Sequence, residues 1–212
     1  MAEIDFIEAT RLAAPVIAGL NYAGIALFAA SGALAAAEKR QTLVTFAFFA
    51  LVTGTGGGTI RDVLIGAPVF WLHQPLYLAI CLAAALLVWM TPRRWWRPKA
   101  LDWLDAVGMS AFAVYGAAKA LGFGVAPLAA IVMGVFTACL GGILRDLLAG
   151  EPSILLRPEI YVTAAVLAAA LFVGLTAIGV AAPVAALAGA AAGFALRGLA
   201  IRHGLGLPVY RD

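Results

Sequence analysis

Apolar residues run along this chain in blocks of about twenty, the length of helix that crosses a hydrocarbon core of about 30 Å. Seven blocks stand at about 15–36, 42–65, 75–91, 103–121, 126–148, 160–178 and 182–201. Polar or helix-ending stretches separate them: Glu38-Lys39-Arg40, Pro92-Arg93-Arg94 and Arg97-Pro98-Lys99. The pattern predicts an all-α membrane protein of seven transmembrane helices, forming a single transmembrane domain over residues 1–212.

Composition narrows the class further. The chain is 64% hydrophobic and 12% charged, with a mean hydropathy of +1.02. A soluble domain is about one quarter charged. The net charge of +3 is small and its basic residues are clustered, which argues against a nucleic-acid surface. The N-terminus, Met1-Ala2-Glu3-Ile4-Asp5, lacks the basic start of a cleaved signal peptide, so it is expected to be retained. Cys81 and Cys139 lie inside apolar blocks and read as small hydrophobes. His73 and His203 have no third ligand nearby in sequence, so no metal site is expected.

Lysine and arginine set the orientation. With the N-terminus outside, the inner side receives Lys39, Arg40, Arg93, Arg94, Arg97, Lys99, Arg145, Arg157, Arg197, Arg202 and Arg211. The outer side keeps Arg11, Arg61 and Lys119. The imbalance predicts an outer N-terminus and a cytoplasmic C-terminus. Trp95 and Trp96 suit an inner interfacial belt and Trp71 an outer one.

Shifted by 84 residues, the chain meets itself without a gap. Gly24, Phe28 and Gly32 fall on Gly108, Phe112 and Gly116. Thr53, Gly57, Gly58, Arg61 and Asp62 fall on Thr137, Gly141, Gly142, Arg145 and Asp146. Leu64, Gly66, Pro68, Leu72 and Tyr77 fall on Leu148, Gly150, Pro152, Leu156 and Tyr161. Each copy holds three spans, repeat one about 15–91 and repeat two about 103–178. An odd number of spans inverts the second copy, a plan typical of transport folds. The block at 182–201 stands outside the repeat.

The stretch TGTGGGTIRD at 53–62 concentrates the unusual chemistry. Thr53, Gly57 and Arg61, spaced by four, form one helical stripe, as do Thr137, Gly141 and Arg145. Mid-helix glycine costs roughly 1 kcal/mol relative to alanine. Gly56, Gly57 and Gly58 therefore predict a bend or local unwinding of the second span, and Gly141 and Gly142 the same in the fifth. Freed carbonyls there could line an ion path. Arg61 and Arg145 should face the interior beside a carboxylate, because a charge facing lipid costs at least about 2.5–3.5 kcal/mol. Asp62, Asp146 or a group from the other repeat could supply it. The stripes Gly24–Phe28–Gly32–Ala36 and Gly108–Phe112–Gly116–Ala120 read as packing faces. Ser31, Ser110 and Tyr115 are candidates for a polar lining, and Lys119 is a snorkelling anchor or a pathway residue. Pro68 and Pro152 mark the turns after the glycine-rich spans. There is no phosphate-binding loop, H-E-x-x-H or G-x-S-x-G, so no enzyme is expected.

GTGGGTIRD at 54–62 and GGILRDLLAGEPSILL at 141–156, within a three-plus-three-plus-one pattern, resemble the prokaryotic branch of the trimeric intracellular cation (TRIC) channels. The same group is also labelled as a glycine-transporter-like membrane family. The resemblance extends from about Leu20 to Ile201. It implies a homotrimer with a pore in each protomer, between kinked second and fifth helices, in the bacterial inner membrane. It implies passage of monovalent cations, chiefly potassium, and a phospholipid near the subunit contacts. Arg61 and Arg145 match the family's basic positions, and Gly56, Gly57, Gly58, Gly141 and Gly142 its kinks. On this reading Arg61, Asp62, Arg145, Asp146, Thr53, Thr137, Ser31, Ser110, Tyr115 and Lys119 belong to pore or gate. No cofactor, nucleic acid or protein partner is expected. A carrier for a small amino acid such as glycine is the alternative, since inverted repeats and helix N-termini also serve alternating access. A non-transporting scaffold would instead show dry packing and no polar cavity.

Overall fold

The computed structural model describes residues 2–96 and 99–208, with side chains from Pro15 onward except that of Arg93. Arg97, Pro98 and Arg211 of the charge pattern lie outside the described residues, as does the side chain of Arg11. The helices are α1 (Ala2–Glu38), α2 (Leu43–Leu64), α3 (Phe70–His73), α4 (Leu76–Met90), α5 (Ala100–Gly122), α6 (Pro127–Ala149), α7 (Val162–Ala177) and α8 (Ala182–His203). Every predicted block falls on a helix, and the four-residue α3 is additional.

Local chemistry sets the helix ends. Thr42 Oγ1 accepts the Thr45 amide at the start of α2, satisfying one of the orphan donors of a first turn. Pro127 opens α6, where its missing N–H costs nothing, and Gly150 closes it in the left-handed region at φ 66°. Gly204 ends α8 in the same way at φ 64°.

Among the described residues, four segments are long and apolar enough to cross a membrane by length and composition: Pro15–Glu38, α2, α6 and α8. Helices α4 and α7 are apolar but only 15 and 16 residues long. Helix α5 has the length but carries Asp102, Asp105 and Lys119.

The interior is built of small residues. Ala29, Ala33, Ala36, Ala113, Ala117, Ala165 and Ala168 have no exposed surface, whereas Val44, Leu128, Met90 and Ile178 are more than 70% exposed. That is the reverse of a soluble core. It fits helices that associate by close backbone approach rather than by expelling water.

Packing repeats as the sequence does. Phe112 occupies the space beside Gly24, and Phe28 the space beside Gly108, so that the two rings stack 5.1 Å apart. Thr53 fills the notch at Gly32, and Thr137 the notch at Gly116. Helices α2 and α6 cross where Gly57 meets the Thr137 carbonyl and Gly141 meets the Thr53 carbonyl. Residues rise along one helix as they fall along the other, so these equivalent helices point in opposite directions and the repeat is inverted.

The unwinding expected at Gly56-Gly57-Gly58 and Gly141-Gly142 does not occur. Both helices are continuous through their glycines. The glycines act by their missing side chains. A Cβ at Gly57 would overlap the Thr137 carbonyl, and one at Gly141 would sit 2.5 Å from the Thr53 carbonyl. Backbone cannot yield as a side chain does, so glycine is required where the helices touch.

Gly57→Ala should accordingly lower stability by about 1–3 kcal/mol, the cost of overpacking. Gly174→Ala, with nothing within 4 Å of the new methyl, should leave stability unchanged or raise it. Thermal unfolding in detergent, followed by tryptophan fluorescence, compares the two.

Candidate functional site: two buried arginine clusters

Six residues beyond the crossing on each helix comes an arginine. Counted along both antiparallel helices at 1.5 Å per residue, Arg61 and Arg145 stand about 18 Å apart along the axis. Each is 1% exposed. A guanidinium so buried must recover its hydration from protein groups, or the burial costs several kcal/mol.

Each arginine finds its first partner in the next residue. Arg61 donates through Nε and Nη2 to Asp62 Oδ1 at 2.9 and 2.7 Å. Arg145 donates through Nε and Nη2 to Asp146 Oδ1 at 2.9 and 2.8 Å. Neighbouring positions diverge by about 100° on a helix, so sequence left this pairing open. The loop after each helix turns back to hold the carboxylate. Asp62 Oδ2 accepts the Phe70 amide at 3.0 Å, and Asp146 Oδ2 accepts the Ile154 amide at 2.9 Å. Phe70 and Ile154 are themselves 84 residues apart, so the loops repeat as the helices do.

The opposite repeat completes each cluster. The Arg61 guanidinium lies 4.9 Å from the centre of the Tyr115 ring. Arg145 Nη1 donates to Ser31 Oγ at 3.2 Å, and Ser31 and Tyr115 are equivalent positions. Beyond that the symmetry fails. Lys119 Nζ donates to Asp62 Oδ1 at 2.8 Å, where the other repeat offers Ala35. Arg145 Nη1 donates to Asp105 Oδ1 at 2.5 Å, where the other repeat offers Asn21, which instead donates to the Tyr77 hydroxyl at 3.2 Å.

Asp105 was missing from the candidates read in the sequence. Its signal was a carboxylate inside an apolar block, aligned by the repeat with another polar residue, Asn21. Arg197 was also missed as a site residue. It is 2% exposed, pairs with Glu159 at 2.6 Å and lies 5.3 Å from the Tyr161 ring centre, clamping α8 to the loop before α7.

The remaining candidates divide. Thr53 and Thr137 lie at the crossing between the clusters. Thr137 Oγ1 donates to its own helix at Met133 O, whereas Thr53 Oγ1 has no hydrogen-bond partner among the described residues. Ser110 is drawn elsewhere. Its hydroxyl donates to Ala106 O and faces Gly193 of α8, so it is not part of either cluster.

A polar cavity of about 240 Å³ opens at the Arg145 end. Arg145 and Asp146 form its floor, and Glu38, Lys39, Asp102, Glu151 and Arg157 line its walls. Lys39 and Glu151 pair across its mouth at 2.6 Å, and this contact holds the Glu151 carboxyl below its usual pKa. Its lining comes from α1, α5, α6 and the loop after α6, and Arg145 on its floor lies one helical turn from Gly141, where α6 touches α2. The arrangement is a close helix crossing with a braced guanidinium on either side and a polar vestibule over one of them.

Comparisons with known proteins agree with this architecture. A family model described as "Glycine transporter" matches residues 18–93 and again 102–177, the two repeats. A UPF0126 membrane protein of Vibrio cholerae is 39% identical over 193 residues, covering 88% of this chain and 80% of that protein. The UPF0126 inner membrane protein YadS of Escherichia coli is 41% identical over 151 residues, 70% of this chain and 73% of that one. The crystal structure of the TRIC trimeric intracellular cation channel orthologue from Rhodobacter sphaeroides superposes with a TM-score of 0.83 at 46% identity, over 90% of this chain and 99% of that one. The chain belongs to the family of the prokaryotic TRIC channels, which the glycine-transporter model also describes.

Removing the shared carboxylate tests the account of burial. Asp62→Ala leaves Arg61 and Lys119 facing each other without an anion and should cost about 3–5 kcal/mol, the scale for breaking a buried pair. Asp62→Asn keeps an acceptor for the Phe70 amide and should cost less. Thermal unfolding of both variants in one detergent gives the order.

Proposed function

We propose that this member of the prokaryotic TRIC family is a passive channel for monovalent cations, potassium foremost, with a separate pore in each protomer between α2 and α6. The observation that carries the proposal is the pair of equivalent, buried Arg–Asp clusters flanking the α2–α6 crossing, one of them open to a polar vestibule. A scaffold has no use for four ionisable side chains placed symmetrically about a contact of bare glycines. The channels of known structure with this fold supply the second support.

On this reading α1, α2 and α4 to α8 all cross the bacterial inner membrane, the short α4 and α7 included, with the N-terminus outside and the C-terminus in the cytoplasm. Helix α5 tolerates these charges because Asp105 pairs with Arg145 and Lys119 with Asp62 inside the protein. Three protomers assemble, and phospholipid fills the contacts between them. The protein performs no chemistry on what it passes.

The structure is then the closed state. Opening requires α2 and α6 to part, and the glycines Gly56, Gly57, Gly58, Gly141 and Gly142 are where a helix bends most cheaply. Arg61 and Arg145 do not select the ion, since their charges are taken up by Asp62 and Asp146. They brace the two helix ends and so hold the gate. Carbonyls exposed on bending, with the hydroxyls of Thr53 and Thr137, would meet a partly dehydrated cation.

In liposomes loaded with potassium, the purified protein should release the ion down its gradient, and added glycine should leave the rate unchanged. Saturable glycine counterflow without current steps would replace the channel with a carrier. Arg61→Gln should raise open probability in single-channel records by about tenfold, as loss of about 1.4 kcal/mol of closed-state bracing implies. The ratio of potassium to sodium permeability should not change.

A further inference from the structure

The two clusters that flank the α2–α6 crossing share their Arg–Asp pair and its amide donor but not their charge. At the Arg61 end one carboxylate, Asp62, faces two cations, Arg61 and Lys119. At the Arg145 end one guanidinium faces two carboxylates, Asp146 and Asp105. The buried clusters therefore carry formal charges of opposite sign. Both differences come from single departures from the repeat, Lys119 opposite Ala35 and Asp105 opposite Asn21. The vestibule keeps the sign of its floor, since it adds Glu38, Asp102 and Glu151 against Lys39 and Arg157.

We infer that Lys119 and Asp105 make the passage rectify: cations are concentrated at the Arg145 end, are opposed at the Arg61 end, and flow more readily in one direction. An inverted repeat with identical halves would conduct equally both ways, because each half presents the same field to an ion from its own side. Here the field is fixed. Asp62 and Asp105 are almost wholly buried, so salt screens their clusters less than it screens surface charge. The inference rests on the channel reading.

The test is single-channel recording in symmetric potassium chloride, comparing currents at equal and opposite voltages. A channel inserted the other way round reports the reciprocal ratio, so each record is scored as its larger current over its smaller. The wild type should rectify by about twofold or more, the effect of one unit charge about 8 Å from an ion in water. Lys119→Ala and Asp105→Asn each install the residue of the other repeat, and each should bring the ratio toward one. Ala35→Lys leaves both clusters' own side chains in place and adds a cation beside the vestibule, where Ala35 already lines the cavity. It should also reduce rectification, which keeps the test alive if the other variants fold poorly. Linear wild-type currents, or a ratio unmoved by all three variants, overturn the inference while the channel reading stands. An absence of potassium current in every preparation overturns both.

Discussion

Burial of two guanidinium groups in a bundle of alanine and glycine is the constraint that orders the rest of this molecule. Neither arginine can reach water across the face it presents to the core. Each needs a carboxylate, and each carboxylate needs further donors. Asp62 and Asp146 meet the need by joining a helix end to the loop that follows it. Two amides eight residues downstream, Phe70 and Ile154, are thereby fixed. The loops, the short α3 and the helical turn at Ile154–Leu156 have their positions because an anion must be held still.

The glycines answer a different demand. Two helices that carry charge beyond their crossing must approach closely enough for the opposite repeat to complete each cluster. Ser31 and Tyr115 reach across because glycines let α1, α2, α5 and α6 approach closely at their contacts. The tight crossing and the polar clusters thus depend on each other. A bulkier contact would lengthen every hydrogen bond around the arginines, and a missing carboxylate would remove the reason for the contact to hold.

Departures from symmetry matter in this arrangement as much as symmetry. The shared parts, Arg–Asp pair, threonine and glycine contact, make the crossing that the proposed channel would open. The unshared parts, Lys119, Asp105 and the clamp from Arg197 to Glu159, give its two ends different surroundings. Helix α8 lies mainly against one half, since it packs chiefly on α5 and α7, with a smaller contact to α1, and is tied to the loop between α6 and α7.

Periodicity and composition by themselves determined the helices, the repeat and its inversion, because each is written as spacing along the chain, while the resemblance of the two glycine–Arg–Asp motifs pointed to the family. The interior placement of Arg61 and Arg145 was also legible, since a charge cannot face lipid cheaply. Three matters were decided only in three dimensions. The glycines form contacts rather than unwound turns, because whether a weak helix former yields depends on what presses against it. Each arginine takes its own neighbour as partner, because that pairing depends on a loop folding back rather than on helical angle. Asp105 and Lys119 enter the clusters from α5, because an ion pair between positions 40 or 57 residues apart leaves no periodic trace and exists only once α5 has packed against α6 and α2.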